Sequence, residues 1–547
     1  MEILQGTARY ATRPEKYRKW EQDLRHIKGY KPCACNGFCP YKNDCTHGTN
    51  MLSRPKRGKP ERISSYVEEF DSLSNVQDDV YRAIYEAYLS NGYKWNVVKA
   101  MTSAGKTTAY LRLMAENPDA RFLIAAPTNI LKNQIYDDAC KAKINVMKTP
   151  SLEEIKKEIP SKVWNFISRL YKNGQHRSVH PYIAEVLKKN DIPCLRKYMD
   201  VREKLKSFAG SVITTHRYLL NMDEKRLGDY DAVIIDEDIV FKSVISNQCE
   251  ITISELKKLS EETFDSRVSI RINELLKLAE TKTRIELDSF EWEDDEKDTD
   301  GISTPFDIPS FCLAQKFYIR RAAKERNLKE DTVMFIKPVF FKGTKYIMVS
   351  ATANERICYD FFGKENVAFY ECKVAAYMGN LFQYPQKSMS RTSIDNCKGI
   401  IERLMKYFNI PEEQVITFMK YGIGTLHFGN TEGCNSLESK DILVIGTPYH
   451  AEFLYKLAAL NMGLSFDEDA VMKEQMVEHN GYRFMFTTYD DSVLRDIHFW
   501  MLESELEQAV GRARLLRNEC DVHLFSSFIV SQAQIVEDFD YNKAAIN

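Results

Sequence analysis

The chain has 547 residues, 44% of them hydrophobic and 28% charged, with 76 Lys+Arg against 78 Asp+Glu. At about 100–200 residues per domain this amounts to about three or four domains of ordinary globular composition, which excludes a wholly disordered chain, a collagen-like chain and a small disulfide scaffold. No stretch approaches the roughly 18 apolar residues of a membrane-spanning helix, and Met1-Glu2-Ile3-Leu4-Gln5-Gly6 lacks the basic-then-apolar pattern of a secretory leader, so a cytoplasmic protein with no membrane partner is expected.

Charge is unevenly placed. Residues 1–62 carry 14 Lys/Arg and 6 Asp/Glu, a balance of +8 on a body that is net acidic. Such an arm suits a polyanionic partner, and it suits a solubilising tail as well. Four of the 13 cysteines, Cys33, Cys35, Cys39 and Cys45, fall within 13 residues, with His47 close behind. An odd total in an intracellular chain argues against a disulfide framework. Four thiolates in so short a segment suit tetrahedral Zn²⁺, with an iron–sulfur cluster as the alternative. Residues 54–62, rich in Lys, Arg, Pro and Gly, read as a basic linker.

From Val76 a 3.6-residue apolar period predicts a helix, and then strands and helices alternate. Trp95–Ala100, Arg121–Ala126, Ser211–Thr214, Ala232–Ile235 and Tyr346–Val349 read as short buried strands of a parallel sheet covered on both faces. Residues 150–208 and 241–342 interrupt this pattern with helix-like segments. The second contains an acidic run, Glu286–Asp300, expected to be a solvated loop. Further strands are expected at Gln414–Phe418, Gly424–Phe428, Asp441–Ile445, Tyr482–Thr487 and Asp521–Phe525.

The segment Ala100-Met101-Thr102-Ser103-Ala104-Gly105-Lys106-Thr107-Thr108 follows a strand and opens a helix. It fits the phosphate-loop pattern G-x-x-x-x-G-K-[ST] except for alanine at the first glycine. Backbone N–H groups of such a loop and of the helix start cradle phosphates, Lys106 reaches the β- and γ-phosphates, and Thr107 ligates Mg²⁺. The apolar strand ending in Asp236-Glu237-Asp238 supplies what hydrolysis of a nucleoside triphosphate then needs. Asp236 is placed to hold Mg²⁺ and Glu237 to orient or deprotonate water.

The order of motifs resembles that of the superfamily 2 helicases and translocases. Asp236-Glu237-Asp238-Ile239 is similar to their DExH/DEAD box, Ala126–Gln134 to motif Ia, Ser350-Ala351-Thr352 to motif III, and Gln508-Ala509-Val510-Gly511-Arg512-Ala513-Arg514 to motif VI. Gln77 stands where that family has its adenine-reading glutamine. The resemblance implies ATP bound between two RecA-like lobes, with Gln508, Arg512 and Arg514 completing catalysis from the second. The family's commoner form has its second arginine at the position of Leu515, which leaves open which arginine acts. Pro127, Thr128, Asn129, Thr215 and His216 are the implied nucleic-acid contacts of the first lobe. In the second lobe, His427–Asn435 resembles versions in helicases of phages, plasmids and integrated mobile elements, implying phosphate-backbone contacts by Asn430 and Gly433, with Gly429 and Asn435 beside them. A long insertion after the acidic box is similar to the arch of iron–sulfur helicases of the DinG and nucleotide-excision-repair type. Their four cluster cysteines before that box have only Cys140 and Cys194 as counterparts here.

The expected architecture is α/β, with two RecA-like parallel-sheet lobes, helical insertions and an N-terminal metal-binding segment. The expected divisions are a basic segment with the cysteine knuckle (1–70), lobe 1 (71–240, with a helical insertion at about 150–208), an arch-like helical and acidic insertion (241–342), a return to lobe 1 (343–353) and lobe 2 (354–547). The resemblance implies an ATP- and Mg²⁺-dependent helicase or translocase acting on DNA, single-stranded or forked, in replication or repair of a phage or mobile element. An ATP-gated nucleic-acid-binding switch or nucleoprotein remodeller that separates no strands is the alternative. A nuclease or primase fused to a motor finds no acidic cluster beyond Asp236-Glu237. Oligomeric state is left open.

Overall fold

The computed structural model describes residues 59–222, 224–263, 265–292, 305–323, 328–341, 345–433 and 435–541. Cys33, Cys35, Cys39 and Cys45, expected to bind a metal, lie outside these residues. Among the described residues no cluster of His, Cys, Asp or Glu could hold a metal ion, and no helix is long and apolar enough to cross a membrane.

The chain divides into two units. The smaller contains a three-stranded sheet in which Glu61–Arg62 pairs antiparallel with Tyr482–Thr488, itself flanked by Lys473–His479. Asn480 and Gly481 join the last two with φ of 45° and 76°. Both values are left-handed, as in the two-residue turn that matches strand twist in hairpins. The expected strand at Tyr482–Thr487 therefore exists, but in this hairpin rather than in the second parallel lobe.

In the larger unit, the first lobe is a seven-stranded parallel sheet. Its order is Val367–Glu371, Trp95–Lys99, Tyr346–Ser350, Ala232–Asp236, Phe122–Ala126, Ser211–Thr215, Val146–Lys148. Val97, Val98, Val233, Ile234, Ile235 and Met348 are fully buried. Continuous apolar runs of this kind belong to strands covered on both faces. One core lies around Val97, Ile235 and Met348, and the other packs Val98 and Ile234 against the helices Leu73–Leu89 and Lys106–Glu116. Because Tyr346–Ser350 lies between Trp95–Lys99 and Ala232–Asp236, the phosphate loop, Ser350 and the acidic segment emerge side by side at the carboxyl end of the sheet. That end is where open α/β sheets bind ligands. The strand Val367–Glu371 joins this sheet beyond the expected return at 343–353.

The second lobe is a six-stranded sheet ordered Leu426–His427, Val415–Thr417, Ile442–Ile445, Asp521–Phe525, Asn380–Gln383, Gln534–Ile535, with parallel pairings throughout. Residues 150–208 form the helices Ser161–Lys172, Val179–Lys189 and Pro193–Lys206 around a small core of their own, as their composition suggests. The segment 241–342 corrects the helical expectation. Alongside Ile253–Glu262 and Ser266–Ala279 it builds an antiparallel sheet of Gln248–Thr252, Thr332–Ile336, Lys316–Arg320 and Arg284–Glu286. Its core contains Phe311, Phe317 and Phe335. Strands this short, with the partners Thr252 and Thr332 far apart in sequence, leave no local signal beyond brief apolar runs. Over the described part of the acidic run, 286–292, the expectation of a solvated loop is also corrected, since Glu286 ends a strand and Leu287 and Trp292 are buried.

Candidate nucleotide and nucleic-acid site

The phosphate loop is built by two left-handed residues, Ser103 at φ 65° and Gly105 at φ 92°, ahead of the helix Lys106–Glu116. Such turns aim successive N–H groups into one concavity, an anion nest backed by the positive end of the helix. Lys106 folds back over the loop. Its Nζ is 3.5 Å from the Ala100 carbonyl and 3.7 Å from Glu237 Oε1. These are loose contacts for a buried ammonium, and a phosphate in the nest would supply the missing charge. Ala104 is buried, Thr102, Ser103 and Thr107 are half-buried, and Thr108 faces solvent.

Asp236 accepts a hydrogen bond from Tyr110 Oη at 3.1 Å. Burial, then the neighbouring Glu237, push its carboxyl up to about 7 against the pull of Lys106. Two carboxylates facing one ammonium are a donor set short of positive charge, and Mg²⁺ held by Asp236 and Thr107 fits it. When bound, that ion would offset charge on the phosphates. Glu237 has φ 70°, an uncommon conformation for a non-glycine residue that gathers at functional sites. The turn brings its carboxylate to Lys106 and to Ser350, whose Oγ lies 3.4 Å from Oε2. Thr352 N in turn donates to Ser350 Oγ at 3.2 Å, so the segment Ser350-Ala351-Thr352 braces the Glu237 carboxylate.

The second lobe meets this loop at two points. A Cβ on Gly511 would stand 2.9 Å from Thr102 Cγ2, an approach only glycine permits. Arg517 Nε donates to the Ser103 carbonyl at 2.8 Å. Gln77 reaches the same point of the loop, its Nε2 3.5 Å from the Cβ position of Gly105. Gln508 is buried with both side-chain polar atoms unpaired, and Arg512 Nε donates to its carbonyl at 3.0 Å. Arg514 departs from expectation. A left-handed φ of 56° turns it to Asn435 Oδ1 at 2.9 Å and Glu438 at 3.3 Å, within its own lobe. Arg517 was missed because it lies outside the motif VI spacing. We expect Arg517→Ala to raise the KM for ATP roughly tenfold, as for loss of one charged hydrogen bond, and Arg514→Ala to leave it within about twofold. Steady-state kinetics check this, and equal effects would remove the distinction.

Pro127, Thr128 and Thr215 lie together at the carboxyl ends of paired strands, where Ala126 is in register with Thr215. Thr128 caps the helix Asn129–Lys141 and Thr215 caps His216–Leu220, while Asn129 Nδ2 donates to Ser151 Oγ at 3.1 Å. His216 does not join them on the surface. It is fully buried, with Nε2 2.9 Å from the Asp236 carbonyl and Nδ1 3.0 Å from Ser243 Oγ, and burial pushes its imidazole down to about 4. The neutral ring lies beneath the acidic strand, against its backbone at Asp236 rather than at the surface. Gly433 packs against the first lobe. At φ 70° its Cβ position is 2.9 Å from Leu131 N, and its carbonyl accepts from Gln134 Nε2 at 2.6 Å, so the close approach is to protein backbone. Asn430, at the turn of the same loop, is exposed.

Beneath the site lie groups that motif spacing did not mark. Asp238 accepts from Val240 N at 2.9 Å, Phe241 N at 3.3 Å and Trp500 Nε1 at 3.2 Å, and burial raises it to about 6. Lys242 pairs with Glu432 at 2.5 Å and Glu505 at 3.3 Å. Burial opposes its charge, yet Glu505 and Glu432 hold its ammonium above the ordinary value.

Phosphate loop, acidic strand end and parallel sheet together define a P-loop nucleoside triphosphatase. Residues 74–267 match the model of the DEAD/DEAH box helicase family, so the enzyme is an ATP hydrolase carrying a helicase domain. No curated protein sequence matches the chain. Among solved structures, an XPD helicase is 14% identical with a TM-score of 0.48, over 86% of this chain and 100% of its own. S. tokodaii Xpd4 is 13% identical at 0.44, over 85% and 100%. Mss116p bound to ssRNA and AMP-PNP is 12% identical at 0.34, over 89% and 83%.

Proposed function

We propose that this enzyme is an ATP-dependent superfamily 2 helicase or translocase that moves along a single strand of DNA and opens forked duplexes. The observation that carries the proposal is the convergence of both lobes on one phosphate loop, with Gly511 against Thr102 and Arg517 on Ser103. A hydrolysis site completed from two lobes ties each turnover to their approach, which is what a motor needs. Pro127, Thr128 and Thr215, beside the same sheet end, and Asn430 at the exposed loop tip would contact the strand. DNA, and a role in replication or repair of a phage or mobile element, rest on the resemblance of His427–Asn435. ATPase assays with single- and double-stranded DNA and RNA, paired with displacement of a strand from a forked duplex, test the proposal. We expect the largest stimulation with single-stranded DNA and ATP-dependent displacement. No stimulation by any nucleic acid would overturn it, and stimulation without displacement would make the protein an ATP-gated switch.

The basic segment is proposed to hold one Zn²⁺ on Cys33, Cys35, Cys39 and Cys45, since four crowded thiolates repel one another unless a cation gathers them. Elemental analysis of anaerobically purified protein should give one zinc per chain, lost in the Cys33→Ser/Cys35→Ser variant. That variant should keep basal ATPase and bind DNA more weakly, with a shallower salt dependence. Iron with a visible absorption band would replace zinc by a cluster, and no metal at all would end the proposal.

A further inference from the structure

Immediately after Asp238 the chain makes one π-helical turn, Val240–Ile245. Single turns of this kind are rare and recur at functional sites because the widened turn re-aims its side chains. Here it places two neighbours in different networks. Ser243 holds His216, which holds the Asp236 carbonyl. Lys242 reaches the second lobe, between Glu432 and Glu505, and the three side chains are 9%, 6% and 5% exposed. Glu505 uses its other oxygen to accept from Gly429 N at 2.6 Å. The loop 429–433 is thus tied down at both ends, at Gly429 through Glu505 and at Gly433 by Gln134, with Glu432 clamped between them.

We infer that Lys242 is a positioning residue that couples the ATP-hydrolysing carboxylates of the first lobe to the loop 429–433 of the second. The physical reason is charge balance. Glu432 and Glu505 are both withdrawn from water and share one ammonium. Remove that ammonium and two buried carboxylates face each other, which breaks one of the loop's two ties to the first lobe and leaves only Gln134 on Gly433. Asn430, at the exposed tip of that loop, is where a strand would press. Movement there is carried through Glu432 to Lys242, and along the π-turn to Ser243, His216 and the acidic strand. Lys242 touches neither phosphate loop nor carboxylate pair, so its effect falls on turnover rather than on ATP affinity. The inference rests on the proposed nucleic-acid motor.

The test compares the full chain with its Lys242→Met, Lys242→Arg and Glu432→Gln variants, measuring kcat and KM for ATP with saturating single-stranded DNA and without it. Circular dichroism and thermal melting report the fold. Lys242→Met should lower the DNA-stimulated kcat about 10²-fold, the scale for loss of positioning, with the KM for ATP within about twofold. Lys242→Arg should recover at least about tenfold of that loss, because it restores the charge. Should Lys242→Met not fold, Glu432→Gln, which keeps shape and removes one charge, should show the same split of kcat from KM with a smaller amplitude. DNA stimulation equal to wild type in Lys242→Met, or in Glu432→Gln where that variant stands in, would overturn the inference and leave the motor proposal intact. A parallel fall of kcat and affinity together with a lowered melting temperature would also overturn it, in favour of a merely structural pair. A wild-type enzyme that no nucleic acid stimulates would overturn the motor proposal and the coupling with it.

Discussion

Lys106→Ala should abolish ATP turnover in a protein that still folds. The ammonium makes only two loose contacts, at 3.5 Å with Ala100 O and at 3.7 Å with Glu237. Its loss therefore costs the fold little, while the nest loses the ammonium that folds back over it. Charge developing on the transferred phosphoryl group is what such a group stabilises, and removing a single preorganised donor typically costs about 10²–10³ in rate. Loss of Lys106 also leaves Asp236 and Glu237 facing each other without the charge that opposes their repulsion. Phosphate release measured beside a circular dichroism spectrum checks the result. Near-normal hydrolysis by a folded variant would dismiss the phosphate loop.

Glu237→Gln should separate binding from chemistry. The amide keeps the length of the side chain, can still accept from Ser350, and tolerates the left-handed backbone as glutamate does. Asp236 remains to hold the metal. What disappears is the base that orients and deprotonates water, a contribution of about 10²–10⁴ in rate. The variant should bind ATP with near wild-type affinity and hydrolyse it slowly, as titration with a fluorescent analogue and single-turnover hydrolysis would show. Loss of nucleotide binding would contradict the division of labour between Asp236 and Glu237.

The parts of this site that could be read directly are those carried by contiguous residues. The apolar run ending at Asp236 is a strand, Ala232–Asp236, and Gly105-Lys106 opens a helix, Lys106–Glu116. Expected strand limits along the first sheet agree with the observed ones within about a residue because buried parallel strands are unbroken apolar runs bounded by turns. The insertion 241–342 was harder. Gln248–Thr252 and Thr332–Ile336 pair across a long stretch of chain, and nothing local distinguishes such strands from ends of helices.

Sequence alone determined the chemistry of the site: a phosphate nest, a lysine, a pair of carboxylates, and their order along the chain. These depend on short-range backbone preferences and on residue type, both written in neighbouring positions. Tertiary structure decided which side chains meet. Arg517 rather than Arg514 touches the phosphate loop because a left-handed turn at Arg514 sends that side chain back into its own lobe. His216 is sealed under the acidic strand, and Gly433 rests on the start of a first-lobe helix instead of facing open space. Lys242 finds Glu432 and Glu505 only when the two lobes pack together. Each of these contacts joins segments separated in the chain, and its free energy comes from mutual burial and charge pairing, which no spacing rule along one strand or helix encodes.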